Sequence, residues 1–322
     1  MISVKNLTKI YQVHIRQANL LKDIFFRTYK DKAALQNASF SIGENELVGF
    51  IGPNGAGKTT TLKILAGILY PTSGTVSVLG TVPFEKNHAF LQQIAFIMGQ
   101  RNQLIWDLPA SDTFALQKEI YSIKDHMYKK QVEMLGGLLK CDHLFDKPVK
   151  TLSMGERMKM ELISGLLHKP RLIFFDEPTI GLDIFSQEII RNFIKSYQSE
   201  SRATIILTSH YLEDVKQLAK RLIIIDKGSI VYDGSMNNII EQYSKIKLLT
   251  VVLDKTVNQM EIRAVAPPFK YKYPKVVYKV KKEELPEKMK LVVKYLPFSD
   301  LTVEDASIEE IIKQFFKEKT WE

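Results

Sequence analysis

A glycine-rich run between a predicted strand and a predicted helix constrains the fold of this chain more than any other feature. The run matches the pattern GxxxxGK followed by Ser or Thr, and its residues are, in order, Gly52, Pro53, Asn54, Gly55, Ala56, Gly57, Lys58, Thr59 and Thr60. Glycines let backbone N–H groups turn inward around an anion, and the N-terminus of the following helix adds partial positive charge. The pattern places Lys58 at the β- and γ-phosphates of a nucleotide and the Thr59 hydroxyl on Mg²⁺. We therefore expect a strand–loop–helix unit that binds a nucleotide.

Four short, almost wholly apolar runs predict the strands of a parallel sheet. They are Leu47–Ile51, Leu172–Phe175, Thr204–Leu207 and Leu222–Ile225. Strands that are apolar along their whole length are typical of a sheet covered on both faces. Their alternation with helical patterns indicates an α/β fold. The fold class that we predict is therefore α/β, with a P-loop NTPase core, an inserted helical subdomain and a small C-terminal α+β domain.

Two changes in sequence pattern predict the domain organisation. Residues 85–165 have helical periodicity and few strand signals, which predicts a helical subdomain at about 101–165. Near residue 245 the pattern changes to short, lysine-rich segments interrupted by prolines. We expect a nucleotide-binding domain at 1–240 and a separate accessory domain at 245–322.

The C-terminal segment has the pattern of a small α+β domain. Strands are predicted at Tyr271–Val280 and Leu291–Tyr295, and a capping box at Ser307–Glu310 predicts the start of a helix. Residues 245–322 contain 16 basic and 12 acidic residues, a net charge of only +4. That charge is too dilute to predict a nucleic-acid site, and we expect a solvated strand face with a role in dimerisation or regulation.

Composition narrows the cellular setting. Lys and Arg number 45 against 36 Asp and Glu, so the formal net charge is +9, which suits an anionic partner without choosing one. Cys141 is the sole cysteine, so no intrachain disulfide can form, and it has no second ligand pair at zinc-site spacing. The longest run without charge, Ile64–Phe84, is interrupted by Pro71, Ser73, Gly74 and Gly80 and does not predict a spanning helix. Met1–Lys5 shows no signal-peptide pattern, so we expect a soluble or peripheral protein.

Polar residues follow two of the predicted strands at their carboxyl ends, where parallel sheets bind ligands. Asp176 and Glu177 come directly after Leu172–Phe175, and His210 comes shortly after Thr204–Leu207. At this edge Asp176 can hold Mg²⁺ through water, and Glu177 can polarise an attacking water. The chain lacks an Asn-Lys pair, as found in guanine-binding motifs, so an ATPase is favoured over a GTPase.

With these motifs the chain resembles the ATP-binding cassette (ABC) ATPase family over residues 1 to about 240. The run Leu152-Ser153-Met154-Gly155-Glu156 resembles the family's signature loop, and Gly181-Leu182-Asp183 resembles its D-loop. The single-residue matches are the Q-loop glutamine, the switch histidine and the adenine-stacking aromatic, which correspond to Gln100, His210 and Tyr11.

The resemblance implies an ATP- and Mg²⁺-dependent ATPase with an antiparallel β-subdomain. In the family two cassettes join head to tail, so that each ATP lies between Lys58 of one copy and Ser153 and Gly155 of the other. Glu177 is implied as the general base, with His210 and Gln100 sensing the γ-phosphate, Mg²⁺ and water. The further residues implied in nucleotide or metal binding are Tyr11, Thr59, Asp176, Glu156 and Asp183.

Two residues of the signature loop depart from the family pattern. Met154 replaces the usual first glycine, and Glu156 replaces the usual glutamine. Ser153 and Gly155, which the resemblance places at the phosphate, are retained. We expect a homodimer with two active sites, with a heterodimer containing a second ABC ATPase as the alternative.

Residues 100–109 and 177–183 resemble a narrower group, the single-cassette ATPases that partner ABC-2 type permeases. Residues 300–311 resemble the accessory domain of such subunits. The resemblance implies an exporter ATPase that binds a permease at the cytoplasmic face of the membrane, with no nucleic-acid partner. The alternative is a soluble ABC ATPase with a regulatory, ribosomal or DNA-associated role. Only 51 residues separate Gln100 from Leu152, which leaves no room for the long coiled coil of DNA-repair members.

An insertion at 14–32 separates Tyr11 from the next predicted strand. Its apolar residues approximate a helical stripe with basic residues around it, which predicts an amphipathic helix. Such a helix can lie on an anionic membrane or against a permease. The alternative is a helix that packs on the chain's own β-subdomain.

Overall fold

The computed structural model describes residues 1–15, 28–100, 102–209, 211–243, 246–305, 310–312 and 315–316. The chain divides into two compact units, Met1–Gly234 and Ser235–Glu322. Within the described ranges, no helix is both long enough and apolar enough to cross a membrane.

A six-stranded sheet forms the centre of the first unit. In spatial order its strands are β5 Ile94–Met98, β6 Leu172–Asp176, β7 Thr204–Thr208, β3 Leu47–Ile51, β8 Arg221–Asp226 and β9 Ser229–Ser235. The first five of these strands are parallel, and four of them, β3, β6, β7 and β8, are the four predicted strands. The carboxyl ends of β3, β6 and β7 therefore meet at one edge, as the sequence predicts.

Strand β5 is a correction, because it lies in the segment predicted to be helical from residue 85 onward. Its five residues, Ile94–Met98, form a parallel ladder with β6 at the edge of the sheet. An apolar run this short has no periodicity that separates a strand from a buried helical turn. The segment predicted as the helical subdomain contains three helices, at Ala110–Ile120, Asp125–Leu139 and Met154–Leu166.

The helices of the first unit cover the central sheet. They are α1 Lys58–Leu65, α2 His88–Leu91, α3 Ala110–Ile120, α4 Asp125–Leu139, α5 Met154–Leu166, α6 Ile184–Ser201 and α7 Leu212–Leu218. Single turns of 3₁₀ helix are present at Pro83–Glu85, Asp142–Leu144 and Val149–Thr151.

Alternate side chains of β6 pack into two different hydrophobic cores. Ile173 and Phe175 pack with the side chains of the helical subdomain and α6. Leu172 and Phe174 point to the other face and pack with the β-subdomain and α1. Both faces are buried, which explains the uninterrupted apolar sequence. Burial of each large apolar side chain contributes roughly 1.5–3 kcal/mol.

The antiparallel β-subdomain has the strand order β2-β1-β4, where β1 is Ile2–Ile15, β2 is Thr28–Ile42 and β4 is Ser73–Val78. The β1–β2 ladder continues to the pair Ile15–Thr28. The predicted helix at 14–32 is therefore wrong at both flanks, because residues 14–15 and 28–32 complete their backbone hydrogen bonds across a hairpin. The centre of the prediction, residues 16–27, lies outside the described residues.

The second unit is built on a four-stranded antiparallel sheet. Its strands, in spatial order, are β11 Lys270–Lys272, β12 Lys275–Lys281, β10 Ile246–Leu253 and β13 Phe298–Asp305. Its helices are α8 Met236–Tyr243, α9 Gln259–Val265 and α10 Leu285–Tyr295. The α+β composition and the strands near Tyr271–Val280 agree with the sequence prediction.

The predicted strand at Leu291–Tyr295 is wrong, because these residues end helix α10. Leu285, Met289, Val292 and Leu296 pack into the core of this unit, and their spacing of four, three and four residues is that of one helix face. Pro286 occupies the first turn, where its missing N–H costs nothing. Of the predicted capping box at Ser307–Glu310, residues 307–309 lie outside the described residues, and residues 310–312 are helical.

Candidate nucleotide site

The glycine-rich loop joins the end of β3 to the start of α1. Gly57 has φ +112° and caps the helix without a side-chain hydrogen bond. A Cβ atom there would lie 2.6 Å from the carbonyl oxygen of Ala34, and a Cβ at Gly52 would lie 2.1 Å from that of Ile225. Only glycine fits these positions, and the first helical amides keep no intrahelical acceptor. The loop therefore presents N–H groups and a helix N-terminus to an anion.

Lys58 is held inside this loop. Its Nζ donates to the carbonyl oxygens of Gly52 at 2.7 Å and Pro53 at 3.0 Å, and the residue is buried. Burial lowers the pKa of the Lys58 ammonium, while the carboxylates of Glu177 and Asp176 oppose that shift. The cation is thus preorganised beside the two acidic residues, where the terminal phosphates of a nucleotide are expected.

Replacement of Lys58 by alanine should lower ATP affinity by at least about tenfold, because a charge-assisted hydrogen bond to phosphate is lost. Titration with a fluorescent ATP analogue measures this effect. Lys63→Ala, on the same helix, is the matched control and should leave the affinity unchanged. Equal affinities of the two variants would contradict the assignment of Lys58 to the phosphate site.

The predicted metal residues Thr59 and Asp176 are in direct contact. The Thr59 hydroxyl donates to Asp176 Oδ1 at 3.1 Å, and the Thr208 hydroxyl donates to the same oxygen at 2.7 Å. Among the described residues, no three His, Cys, Asp or Glu side chains cluster closely enough to hold a metal ion. Mg²⁺ commonly takes one or two protein oxygens and completes its shell with phosphate and water. Thr59 and Asp176 fit that mode of binding.

Glu177 lies at the end of β6 in a left-handed conformation, with φ +57°. Its amide donates to the backbone and hydroxyl oxygens of Thr208, each at 3.1 Å. Gln100 Nε2 donates to Glu177 Oε2 at 3.2 Å, so two predicted catalytic residues are brought together. A non-glycine residue at positive φ is held by its surroundings and is common at functional sites. His210, the third predicted catalytic residue, lies outside the described residues.

Gly99 and Thr208 are site residues that sequence reasoning missed. A Cβ at position 99 would lie 2.0 Å from the carbonyl oxygen of Glu177. Glycine at this position therefore lets the segment before Gln100 pass close to the backbone of Glu177. Thr208 contacts both Asp176 and Glu177, and a hydroxyl residue at the end of an otherwise apolar strand is the sequence signal that could have identified it.

The signature loop forms the N-terminus of α5. Ser153 is the N-cap: its Oγ accepts from the Glu156 amide at 3.3 Å, and its own amide donates to Glu156 Oε2 at 2.8 Å. These hydrogen bonds to Ser153 lower the pKa of Glu156, so its carboxylate stays ionised against the helix N-terminus. Glutamate at position 156 thus closes a capping box.

Gly155 packs against Ser186 of α6, and Met154 packs against Gly181 of the predicted D-loop. A Cβ at Gly155 would lie 2.5 Å from Ser186 Oγ, and one at Gly181 would lie 2.8 Å from Met154 Cε. The unusual Met154 side chain therefore lies along Gly181. Asp183 caps α6 through Ser186, and the Ser186 hydroxyl and amide lower the pKa of the Asp183 carboxyl.

Glu161 ties the signature helix to the loop that follows Gln100. Its Oε1 accepts from the amides of Gln103 at 2.8 Å and Leu104 at 3.3 Å. Burial raises the pKa of Glu161 to about 7, although these two hydrogen bonds act in the opposite direction. The predicted nucleotide-sensing loop and the signature helix are thus joined by a buried acidic side chain.

A buried polar cluster lies beside the segments that follow β6 and β7 and was not predicted from the sequence. Asp214 of α7 accepts hydrogen bonds from Thr179 at 2.5 Å, Ser209 at 2.7 Å and Arg191 at 2.7 Å. Asp214 is 1% exposed, so these donors replace its hydration shell. The cluster joins the segment after Glu177 to the segment that ends at Ser209, directly before His210.

Tyr11 lies on the β1–β2 hairpin, opposite Lys32. It is partly exposed, and the ammonium of Lys9 lies 5.2 Å from its ring centre. Ala34, two residues after Lys32, is the residue whose carbonyl oxygen closely approaches Gly57. The hairpin that carries Tyr11 therefore runs past the phosphate loop.

Together, the parallel sheet, the phosphate loop and the acidic strand end define a P-loop nucleotide-binding domain. The ABC transporter family profile matches residues 35–180. The ABC transporter ATP-binding protein NatA of Bacillus subtilis (strain 168) is 32% identical over 235 residues, which cover 72% of this chain and 95% of that protein. The chain belongs to the ABC transporter ATP-binding protein family.

Two further comparisons agree with this assignment. The Nod factor export ATP-binding protein I of Burkholderia pseudomallei (strain K96243) is 32% identical over 216 residues, covering 67% of this chain and 70% of the relative. A solved dimeric structure of the ATP-binding cassette MJ0796 with ADP and Pi has a TM-score of 0.62 at 22% identity. It covers 73% of this chain and 99% of the solved chain, which shows the shared fold.

Proposed function

We propose that this chain is the ATP-hydrolysing subunit of an ABC-2 type exporter. The observation that carries the proposal is the contact of Gln100 with Glu177 beside the contact of Thr59 with Asp176. In this proposal Glu177 is the base, Gln100 is a polar sensor beside it, and Thr59 and Asp176 are hard oxygen ligands at the edge that carries the phosphate loop. The similarity to NatA and to a Nod factor export protein supports a role in transport.

Each group has a distinct role in this proposal. The loop amides and Lys58 bind the phosphates of ATP, and Tyr11 stacks on the adenine. Thr59 and Asp176, with Gln100, would hold Mg²⁺, which supplies charge stabilisation at the phosphates when bound. The Glu177 carboxylate accepts a proton from water as the water oxygen bonds to the γ-phosphorus and the bond to ADP breaks.

A second cassette completes each site in this proposal, either a second copy or another ABC ATPase. Among the described residues, no hydrogen bond joins Ser153 or Gly155 to the phosphate loop of the same chain. The free amides at the start of α5 form an anion site of their own. We infer that this helix end, with Ser153 and Gly155, binds the γ-phosphate held by the other cassette.

An apolar cleft supports a permease partner. It has a volume of about 380 Å³ and lies between the central core and the helical subdomain. Ile68 and Leu91 line it from the core and Ile120 from α3, and all three are exposed. Exposed apolar walls of this kind suit a short amphipathic helix. We propose that a cytoplasmic helix of the permease occupies the cleft, which keeps the chain at the cytoplasmic face of the membrane.

Co-expression with an ABC-2 type permease of the same genome tests this proposal. We expect the reconstituted permease to stimulate ATP hydrolysis, and Ile120→Glu to remove the stimulation while it leaves the basal rate intact. Leu116→Glu is the matched control, because Leu116 is exposed on the same helix and does not line the cleft. Stimulation that is absent with the native chain, or equal in the two variants, would contradict permease coupling at this cleft.

A further inference from the structure

Basic and acidic residues lie at opposite edges of the four-stranded sheet of the second unit. Strands β11 and β12, at one edge, contain five lysines and no acidic residue, namely Lys270, Lys272, Lys275, Lys279 and Lys281. Strand β13, at the opposite edge, contains three acidic residues and no basic one. The sheet therefore has a cationic edge and an anionic edge.

The five lysines share one face of the sheet. In β12, Val276, Tyr278 and Val280 point into the core, so the lysines that alternate with them point to the opposite face. In register, Lys270 pairs with Val277 and Lys272 pairs with Lys275, which puts both β11 lysines on that same face. Neighbouring residues on one strand face are about 7 Å apart, and adjacent strands about 5 Å. The five lysines thus lie on one face of two neighbouring strands.

These lysines have no carboxylate partner. Of the lysines in this sheet, Lys247 of β10 forms an ion pair, with Asp305 of β13. Within the part of the chain that the structure describes, none of the five β11 and β12 lysines pairs with an acidic side chain. Four of them are exposed, and Lys279 is partly covered because its Nζ lies 3.9 Å from the ring centre of Phe269. Asp300 and Glu304 of β13 share this face of the sheet but lie two strands away, so among the described residues the five ammonium groups are without a direct ion pair.

Three exposed aromatic residues accompany the lysines. Phe269, Tyr271 and Tyr273 are 48%, 36% and 49% exposed, and Pro274 follows in the turn between the strands. We call residues 269–281 the cationic hairpin. Large exposed rings beside unpaired lysines are typical of a surface that meets both apolar and anionic groups.

We propose that the cationic hairpin binds the anionic lipid headgroups of the membrane surface, an inference that rests on the proposed transport function. Lysine ammonium groups are attracted to phosphate and serine headgroups, and aromatic rings favour the layer just beneath them. The hairpin would thus give the accessory domain a contact with the bilayer that is independent of the permease.

The arrangement of the side chains favours a membrane over a nucleic acid. Tyr271 pairs with Val276, a core-facing residue, and therefore lies on the opposite face from Lys270 and Lys272. Binding of a single strand needs stacked rings along the groove that carries the cations. In β11, the ring of Tyr271 and the two lysines lie on opposite faces of an edge strand. This arrangement suits insertion of the strand edge into a layer of lipid headgroups.

Vesicle co-sedimentation of the full chain tests the proposal, without any permease present. We expect binding to phosphatidylcholine vesicles that contain phosphatidylserine, weak binding to pure phosphatidylcholine, and a loss of binding as salt rises. The triple variant Lys270→Gln/Lys272→Gln/Lys275→Gln should weaken binding about 100-fold, since each lysine near an anionic surface contributes about fivefold. Its ATPase rate in lipid-free buffer should be unchanged.

A matched triple variant separates the hairpin from net charge alone. Lys288→Gln/Lys290→Gln/Lys294→Gln removes the same charge from helix α10 of the same unit and should bind vesicles like the native chain. Equal loss in both variants, or no binding of the native chain, would overturn the proposal. So would hairpin-dependent binding of a single-stranded oligonucleotide without vesicle binding. Stimulation of ATP hydrolysis by the permease in detergent is a separate measurement. If that stimulation were absent while vesicle binding was retained, the proposed transport function would be contradicted and the lipid-binding role of the hairpin would not.

Discussion

Glu177→Gln should abolish ATP turnover while leaving ATP binding intact, and it should convert the protein into an ATP-stabilised dimer. Loss of a general base lowers a rate by about 100- to 10,000-fold. The substituted amide keeps the shape of the carboxylate, and its oxygen can still accept the hydrogen bond from Gln100 Nε2. ATP bound between two cassettes would therefore remain unhydrolysed. Size-exclusion chromatography with light scattering, with and without ATP, measures the change from monomer to dimer.

Two controls make this result specific. Glu188→Gln makes the same chemical change at an exposed position on α6 and should leave turnover and association unchanged. Adding Lys58→Ala to Glu177→Gln should remove the dimer, because the nucleotide that joins the two copies no longer binds. Retention of turnover in Glu177→Gln would exclude Glu177 as the base. A monomer with ATP bound would instead point to a heterodimer, in which Met154 disfavours self-pairing.

The sheet edge that brings the predicted site residues together was predictable, because local sequence signals specify the strand ends that form it. The phosphate loop and the pair Asp176–Glu177 each follow a short apolar strand, and parallel strands bring such ends together. The motifs did not predict the neighbouring residues that hold Asp176 and Glu177 in place. Thr208 contacts both acidic residues, and Gly99 allows the close approach of the Glu177 carbonyl, yet each is a single residue outside any spaced pattern.

The errors in the fold prediction have a common physical cause, which is that short segments take their structure from neighbours distant in sequence. Leu291–Tyr295 contains strand-favouring residues, but it continues a helix face that begins at Leu285. Lys30 and Lys32 were predicted to lie around the apolar stripe of an amphipathic helix, but residues 28–32 pair with β1 in an antiparallel ladder. Burial and backbone pairing outweighed local propensity in both segments.

Asp214→Ala should destabilise the first unit by about 3–5 kcal/mol, which is the expected cost of breaking a buried ion pair from one side. The Arg191 guanidinium, 2.7 Å from Asp214, would remain buried with its charge uncompensated, and its Nε already lacks a hydrogen-bond partner. The hydroxyls of Thr179 and Ser209 would also lose their acceptor. Urea unfolding of the full chain, followed by circular dichroism, measures the change in free energy.

The neighbouring Glu213→Ala is the matched control, because Glu213 is half-exposed and its contacts with Lys216 and Gln217 lie at the surface, where an ion pair is worth at most about 1 kcal/mol. Removing both charges in Asp214→Leu/Arg191→Met should restore much of the stability, since no unpaired ion then remains.

The double variant also separates stability from function. Without Asp214, the segments that carry Glu177 and precede His210 lose their shared anchor, so turnover should stay low while ATP affinity recovers. If turnover recovered together with stability, Asp214 would have no role in positioning the catalytic edge.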